Sequence, residues 1–139
     1  MARLARAAAE NAELCQAVRT AAGDIRLDPI KLDTWVRGHF RYRGEEREVI
    51  RTPEFMWSEW QTTGTFEGDC DDVSTMFAFI LRCLGYPLVR FVAIRFDSNN
   101  PYFEHVYVEL YYAGAWRVFD QTVAPGTRHN IVERMVQTV

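Results

Sequence analysis

The chain has 139 residues, 48% of them hydrophobic and 14% aromatic, which is enough apolar surface for one domain to bury a core of its own. A net charge of −3 with no Lys/Arg run argues against nucleic-acid and anionic-membrane partners. No stretch of about 18 apolar residues is present to cross a bilayer.

Residues Ala2 to Ala22, dense in Ala, Glu, Arg and Leu, read as a helix stopped by Gly23. Arg3, Arg6, Glu10 and Asn11 interrupt the apolar run that a signal peptide needs, so the expectation is a cytoplasmic protein. Asp28 and Pro29 have the chemistry of an N-cap and a first helical residue, and Ile30, Trp35 and Val36 give the helix that follows an apolar face. Arg41 to Arg51 is charged and reads as a loop. Thr52-Pro53-Glu54 opens a short helix carrying Phe55, Met56, Trp57 and Trp60, and Gln61 to Gly68 reads as a loop.

The clearest helix starts at Asp69. Asp69 can cap it, and Asp72, three residues on, can complete a capping box. Val73, Met76, Phe77, Ile80, Leu81 and Leu84 recur every three or four residues and form one apolar face. Gly85 and Pro87 end the helix. The period then changes to that of strands: Leu88 to Phe96, Phe103 to Tyr112, and Ala115 to Asp120, the last two joined by the tight turn Ala113-Gly114. Ala124-Pro125-Gly126 is a turn, and residues 131–139 fit strand and helix equally. Helices first and an antiparallel sheet second make an α+β domain.

The cysteines, Cys15, Cys70 and Cys83, are odd in number and match no C-x-x-C motif, so a disulfide scaffold is not expected; one working thiol or three buried thiols are the two readings. Cys70 stands apart because it starts a helix. Unpaired first-turn N–H groups and the positive end of the helix dipole favour a thiolate, and the same N–H groups can receive an oxyanion. Asp69, Asp71 and Asp72 oppose a thiolate unless they face solvent or a basic partner, and they are also a weak candidate for a hard cation. Without that context a Cys is more often a small buried hydrophobe.

His105 shares a strand face with Tyr107 and Glu109, and a His held on a strand suits a general base. A two-residue turn at Ala113-Gly114 pairs residues whose numbers sum to 227, so Val108 faces Phe119 and Glu109 faces Val118. Asp120 then falls opposite Tyr107, on the face of His105 and within side-chain reach of it. Zinc held by Cys70, His105 and Asp120 is chemically possible but ranks below a Cys–His–Asp triad. Cys15 and Cys83 read as structural thiols, and His39 and His129 as surface residues without a partner.

Four stretches in order carry a family resemblance. They are Gly68-Asp69-Cys70-Asp71-Asp72, then Leu84-Gly85-Tyr86-Pro87, then His105-Val106-Tyr107-Val108-Glu109, and finally Trp116-Arg117-Val118-Phe119-Asp120-Gln121-Thr122. Over about Ile30 to Val123 the chain resembles the transglutaminase-like superfamily of papain-related enzymes. With no repeats and no linker, the chain reads as a single domain, with residues 1–25 as an N-terminal helix, 28–123 as the core that carries the resemblance and 124–139 as an extension. The resemblance implies N-terminal helices packed on an antiparallel sheet around a papain/transglutaminase-like core, with Cys70, His105 and Asp120 as the catalytic triad. It further implies a short bacterial or phage version acting on protein or peptide substrates, without a cofactor or a metal. The activity implied is that of a peptidase or amidase working through a thioacyl-enzyme. Protein-glutamine transglutamination and a non-catalytic binding module are the alternatives. Members often carry Pro after the Asp, where this chain has Gln121. Related enzymes place a side-chain oxyanion donor upstream of the Cys, which points to Gln61 or Trp60, with Trp57 beside them; the alternative for these residues is core and loop.

Overall fold

The computed structural model describes residues 1–44 and 50–139. Helices α1 (Ala2–Ala9), α2 (Ala12–Ala22), α3 (Pro29–His39) and α4 (Pro53–Thr63) precede α5 (Cys70–Cys83), and strands β1 (Phe40–Tyr42) and β2 (Phe66–Gly68) lie among them. Strands β3 (Val89–Arg95), β4 (His105–Tyr112), β5 (Ala115–Phe119) and β6 (Glu133–Thr138) follow. The last four form one antiparallel sheet in the order β5-β4-β3-β6, while β1 and β2 pair in parallel. This is the expected α+β arrangement.

Several boundaries differ from those read in the sequence. The N-terminal helix is two, because the Asn11 side chain accepts from Leu14 N and starts α2 afresh. Gly23, at φ 57°, ends α2 as expected, and Asp28 with Pro29 opens α3. Helix α4 runs on to Thr63, so part of the loop expected over Gln61 to Gly68 is helix and part is β2. The loop expected over Arg41 to Arg51 begins as β1, and its residues 45–49 lie outside the described residues. The ambiguous tail is strand β6, paired along β3 from Arg90↔Thr138 to Arg95↔Glu133.

Helix α5 is the centre of the core. The stripe read in the sequence is fully buried from Val73 to Leu81, and so are Ser74, Thr75, Ala78 and Phe79 on its other sides. The sheet covers one side through Val106, Val108, Leu110 and Phe119, and α1 and α2 cover another through Ala5, Ala8 and Val18. Each large apolar side chain buried this way contributes about 1.5–3 kcal/mol of gross hydrophobic stabilisation. The N-terminal part of α5 is held against the inner strand β4, where Ser74 donates its hydroxyl to Val106 O at 3.3 Å.

The chain also carries a disulfide, contrary to expectation: Cys15 on α2 and Cys83 at the end of α5 are bonded, with Cα atoms 4.8 Å apart. Sixty-eight residues separate them, so only the packing of α2 along α5 reveals the pair. No described helix is long and apolar enough to cross a membrane.

Candidate active site

Cys70 is the first residue of α5 and the one free cysteine of the chain. The capping box read in the sequence is present and positions it. Asp69 accepts from Asp71 N and Asp72 N at 3.0 and 3.3 Å, and Asp72 accepts from Asp69 N at 3.1 Å. Asp72 is fully buried, its other oxygen accepts Arg51 N at 2.8 Å, and burial pushes its carboxyl up to about 6. The Asp69 and Asp72 carboxylates are thereby committed to the turn before Cys70. Gly68 stands against that turn, where a Cβ would lie 2.4 Å from Cβ of Asp72.

His105 begins β4 and Asp120 follows β5. The register is the one derived from the Ala113-Gly114 turn, with Val108 facing Phe119 and Glu109 facing Val118. Ala113 and Gly114 take φ of 50° and 82°, the positive values of a type I′ hairpin turn. His105 Nε2 lies 2.6 Å from Asp120 Oδ2. Its ring and Cys70 line the same cleft, and Cys70 is among the groups that favour a charged ring at His105. Burial disfavours a charged ring at His105, but the bond to Asp120, reinforced by Cys70, outweighs it and lifts the imidazole to about 9. Burial likewise opposes the charge on Asp120. The bonds from His105 and Thr122 outweigh it and hold the carboxyl well below the usual range.

The structure brings to Asp120 two groups that the sequence reading missed. Thr122 donates both N–H and Oγ1–H to Oδ1, at 3.1 and 2.7 Å. His129, expected at the surface without a partner, puts Nε2 3.0 Å from Oδ2. Its one sequence signal is the Ala124-Pro125-Gly126 turn, which reverses the chain so that the residues after it return over the end of β5. Helix α3 secures the same strand end: Arg37 donates to the carbonyls of Val123 and Asp120 and to the carboxylate of Asp33. Asp33 in turn accepts from Gln121 Nε2 at 2.8 Å.

A cleft of about 320 Å³ opens over the thiol, lined by Cys70, His105 and His129 with Tyr42, Phe96 and Glu104 at its rim and Thr122 and Val123 at its wall. A larger cavity of about 560 Å³ borders Asp120 and Val123, but neither Cys70 nor His105 lines it. The oxyanion donors expected from α4 do not reach the cleft. Gln61 is exposed, and Trp60 and Trp57 are buried in an aromatic cluster with Trp35 and Phe66. Trp60 also stacks on His39, which is half-buried and donates Nδ1–H to Trp35 O, so His39 is a packed residue and not a free surface group. Among the described residues the set that could hold a metal is His105, Asp120 and His129, with donor atoms within 4.8 Å of one another, whereas the sequence pointed to Cys70 in place of His129.

A thiol at the start of a buried central helix, set against a His–Asp pair on an adjoining antiparallel sheet, defines the papain- and transglutaminase-like class of α+β folds. The family model of the transglutaminase-like superfamily matches residues 12–121, and the chain belongs to that superfamily. Among solved structures the chain is similar to "a Putative Cysteine Protease from Cytophaga hutchinsonii", with 22% identity and a TM-score of 0.60 over 79% of this chain. That likeness concerns the fold, and the chain spans only 37% of the length of that protein. No curated protein matches the chain. Family and fold together support a cysteine-based enzyme in general.

Proposed function

We propose that this chain is the catalytic domain of a cysteine-nucleophile acyl-transfer enzyme, a peptidase or amidase, with Cys70 as nucleophile, His105 as acid and base, and Asp120 as the group that orients the imidazole. The observation that carries the reading is a free thiol, Cys70, lining one cleft with His105, whose ring is held at 2.6 Å by the buried Asp120 carboxylate. His105 takes the thiol proton, giving a thiolate–imidazolium pair. The sulfur attacks the amide carbon and the C–N bond breaks, while His105 protonates the departing amine. Water then adds to the thioester with His105 as base, the C–S bond breaks, and the acid product leaves with the thiol restored. The N–H groups at the start of α5 are available to the oxyanion of both tetrahedral intermediates.

Alkylation by iodoacetamide at pH 6–7 tests this reading. One label per chain is expected, at Cys70, entering faster than into free cysteine at the same pH, with His105→Ala slowing it to the rate of an ordinary thiol. Slow labelling that ignores His105 would leave a binding module that has the fold without the chemistry. Incorporation of a fluorescent primary amine into a protein would assign transamidation in place of hydrolysis.

A further inference from the structure

Asp120 Oδ2 accepts from two imidazoles, His105 Nε2 at 2.6 Å and His129 Nε2 at 3.0 Å. The second ring belongs to neither the family-matched segment, which ends at residue 121, nor the core read from the sequence, which ends at 123. A turn built for the purpose delivers it. Thr127 N donates to Ala124 O at 3.1 Å, Gly126 takes φ 82°, and Pro125 precedes it, as in a type II turn. The His129 ring then lies 5.0 Å from that of His105 and stacks on buried Tyr107 at 6.1 Å and 13°.

We propose that His129 is a positioning residue for the Cys70–His105–Asp120 chemistry: it donates Nε2–H to the oxygen that holds His105, fixing the carboxylate and dividing its charge between two rings. This rests on the triad reading of the preceding section. The proton assignment follows from the acceptor. An ionised carboxylate oxygen only accepts, so both nitrogens facing Oδ2 must carry hydrogen. With Thr122 supplying two donors to Oδ1, His129 brings Asp120 to four, which saturates the carboxylate's acceptor positions and keeps it an anion. Sharing Oδ2 also weakens its hold on the His105 proton. An acid–base group works best when its proton is neither too tightly nor too loosely held at the working pH, and Asp120 alone would hold that of His105 more tightly. The titratable and polar groups around His105 are Cys70 from α5, Asp120 and Thr122 after β5, Tyr107 from β4, Glu104 and His129.

The experiment is imidazole ¹⁵N NMR on the native chain, which needs no substrate. In the wild type, His129 should show Nε2 protonated. His129→Phe keeps an aromatic ring on Tyr107 but no donor, and should move the titration midpoint of His105 up by about 0.5–1 pH unit, the scale of one hydrogen bond. His129→Gln restores an N–H at nearly the same position and should return the midpoint to the wild-type value. A ring protonated at Nδ1 alone would overturn the proposal, as would a midpoint that the Phe variant leaves unchanged or that the Gln variant fails to restore. The wild-type tautomer decides even if a variant does not fold. Alkylation of Cys70 separately tests the triad, so failure of one reading is distinguishable from failure of the other.

Discussion

Asp120→Asn is the substitution on which the site depends most directly. The carboxylate accepts on both oxygens, from His105 and His129 on Oδ2 and from Thr122 on Oδ1. An amide has one acceptor oxygen, so its NH₂ must face either the two rings or the Thr122 N–H. Losing the charge removes the main support for an imidazole now lifted to about 9, and burial then takes His105 to 6.5 or below. At pH 7.5 the imidazolium fraction falls from about 97% to about 10% or less. That tenfold loss of the ion pair, joined by a wrong tautomer where the amide faces the rings, gives an expected rate loss of at least about 10²-fold. The folded state weakens as well. A rise from 6.5 to about 9 corresponds to about 3 kcal/mol, with little discount for a side chain only 12% exposed. The lowering at Asp120 is the same bond seen from its other partner and is not added. His105 binds its proton more tightly when folded, so this stability is full below about 6.5 and is lost as pH rises through about 9. Asp120, lowered in the fold, contributes above about 3.9 and loses its contribution as pH falls through its own lower value. Guanidinium unfolding of wild type and Asn variant from pH 4 to 10 should therefore show a gap that is widest between about 4 and 6.5 and closes by about 9. A gap independent of pH, or an unchanged pH profile of Cys70 alkylation, would refute the coupling of the two side chains.

The disulfide closes a segment of 68 residues, which in the chain-entropy account is worth about 4 kcal/mol. Replacing Cys15 and Cys83 together by Ala should lower Tm by about 10–15 °C in calorimetry, and a variant as stable as the wild type would mean that the bond does not form in solution. Gly68→Ala should destabilise the fold by about 1–3 kcal/mol, because its Cβ displaces Asp72 and with it the turn that holds Cys70; chemical unfolding with parallel Cys70 alkylation measures both effects. Cys70→Ala should retain the wild-type unfolding midpoint within about 1 kcal/mol, since the residue is only half-buried at a helix start, and should abolish any hydrolysis.

The parts of this molecule written in local chemistry were legible in the sequence. The capping box at Asp69 and Asp72, the stops at Gly23 and Gly85, and the hairpin at Ala113-Gly114 each rest on a few neighbouring residues, and the hairpin alone fixed which residues face one another on β4 and β5. What stayed hidden depends on long-range packing. Cys15 and Cys83 meet because α2 lies along α5. For His129 the neighbouring turn at Pro125 signals a chain reversal but not its destination, and only the fold shows that it returns the ring to Asp120.

The departure at Gln121 illustrates how distant elements replace a local constraint. A Pro after the Asp would fix the backbone at the strand end by its ring. Here the chain leaves β5 without that restraint, and α3 supplies it. Arg37 holds the Asp120 and Val123 carbonyls, and Asp33 holds both Arg37 and the Gln121 amide. The clamp is charged and half-buried, and it grips the backbone of the residue whose side chain orients His105. It leaves Gln121 Oε1 buried with no partner among the described residues, a cost that a Pro would not incur. Helix α3 lines no part of the thiol cleft, yet it positions the carboxylate, as α1 and α2 position the thiol by burying the back of α5. The site is therefore rigid on the Cys70 side through the core and on the Asp120 side through this clamp, with His105 held between them.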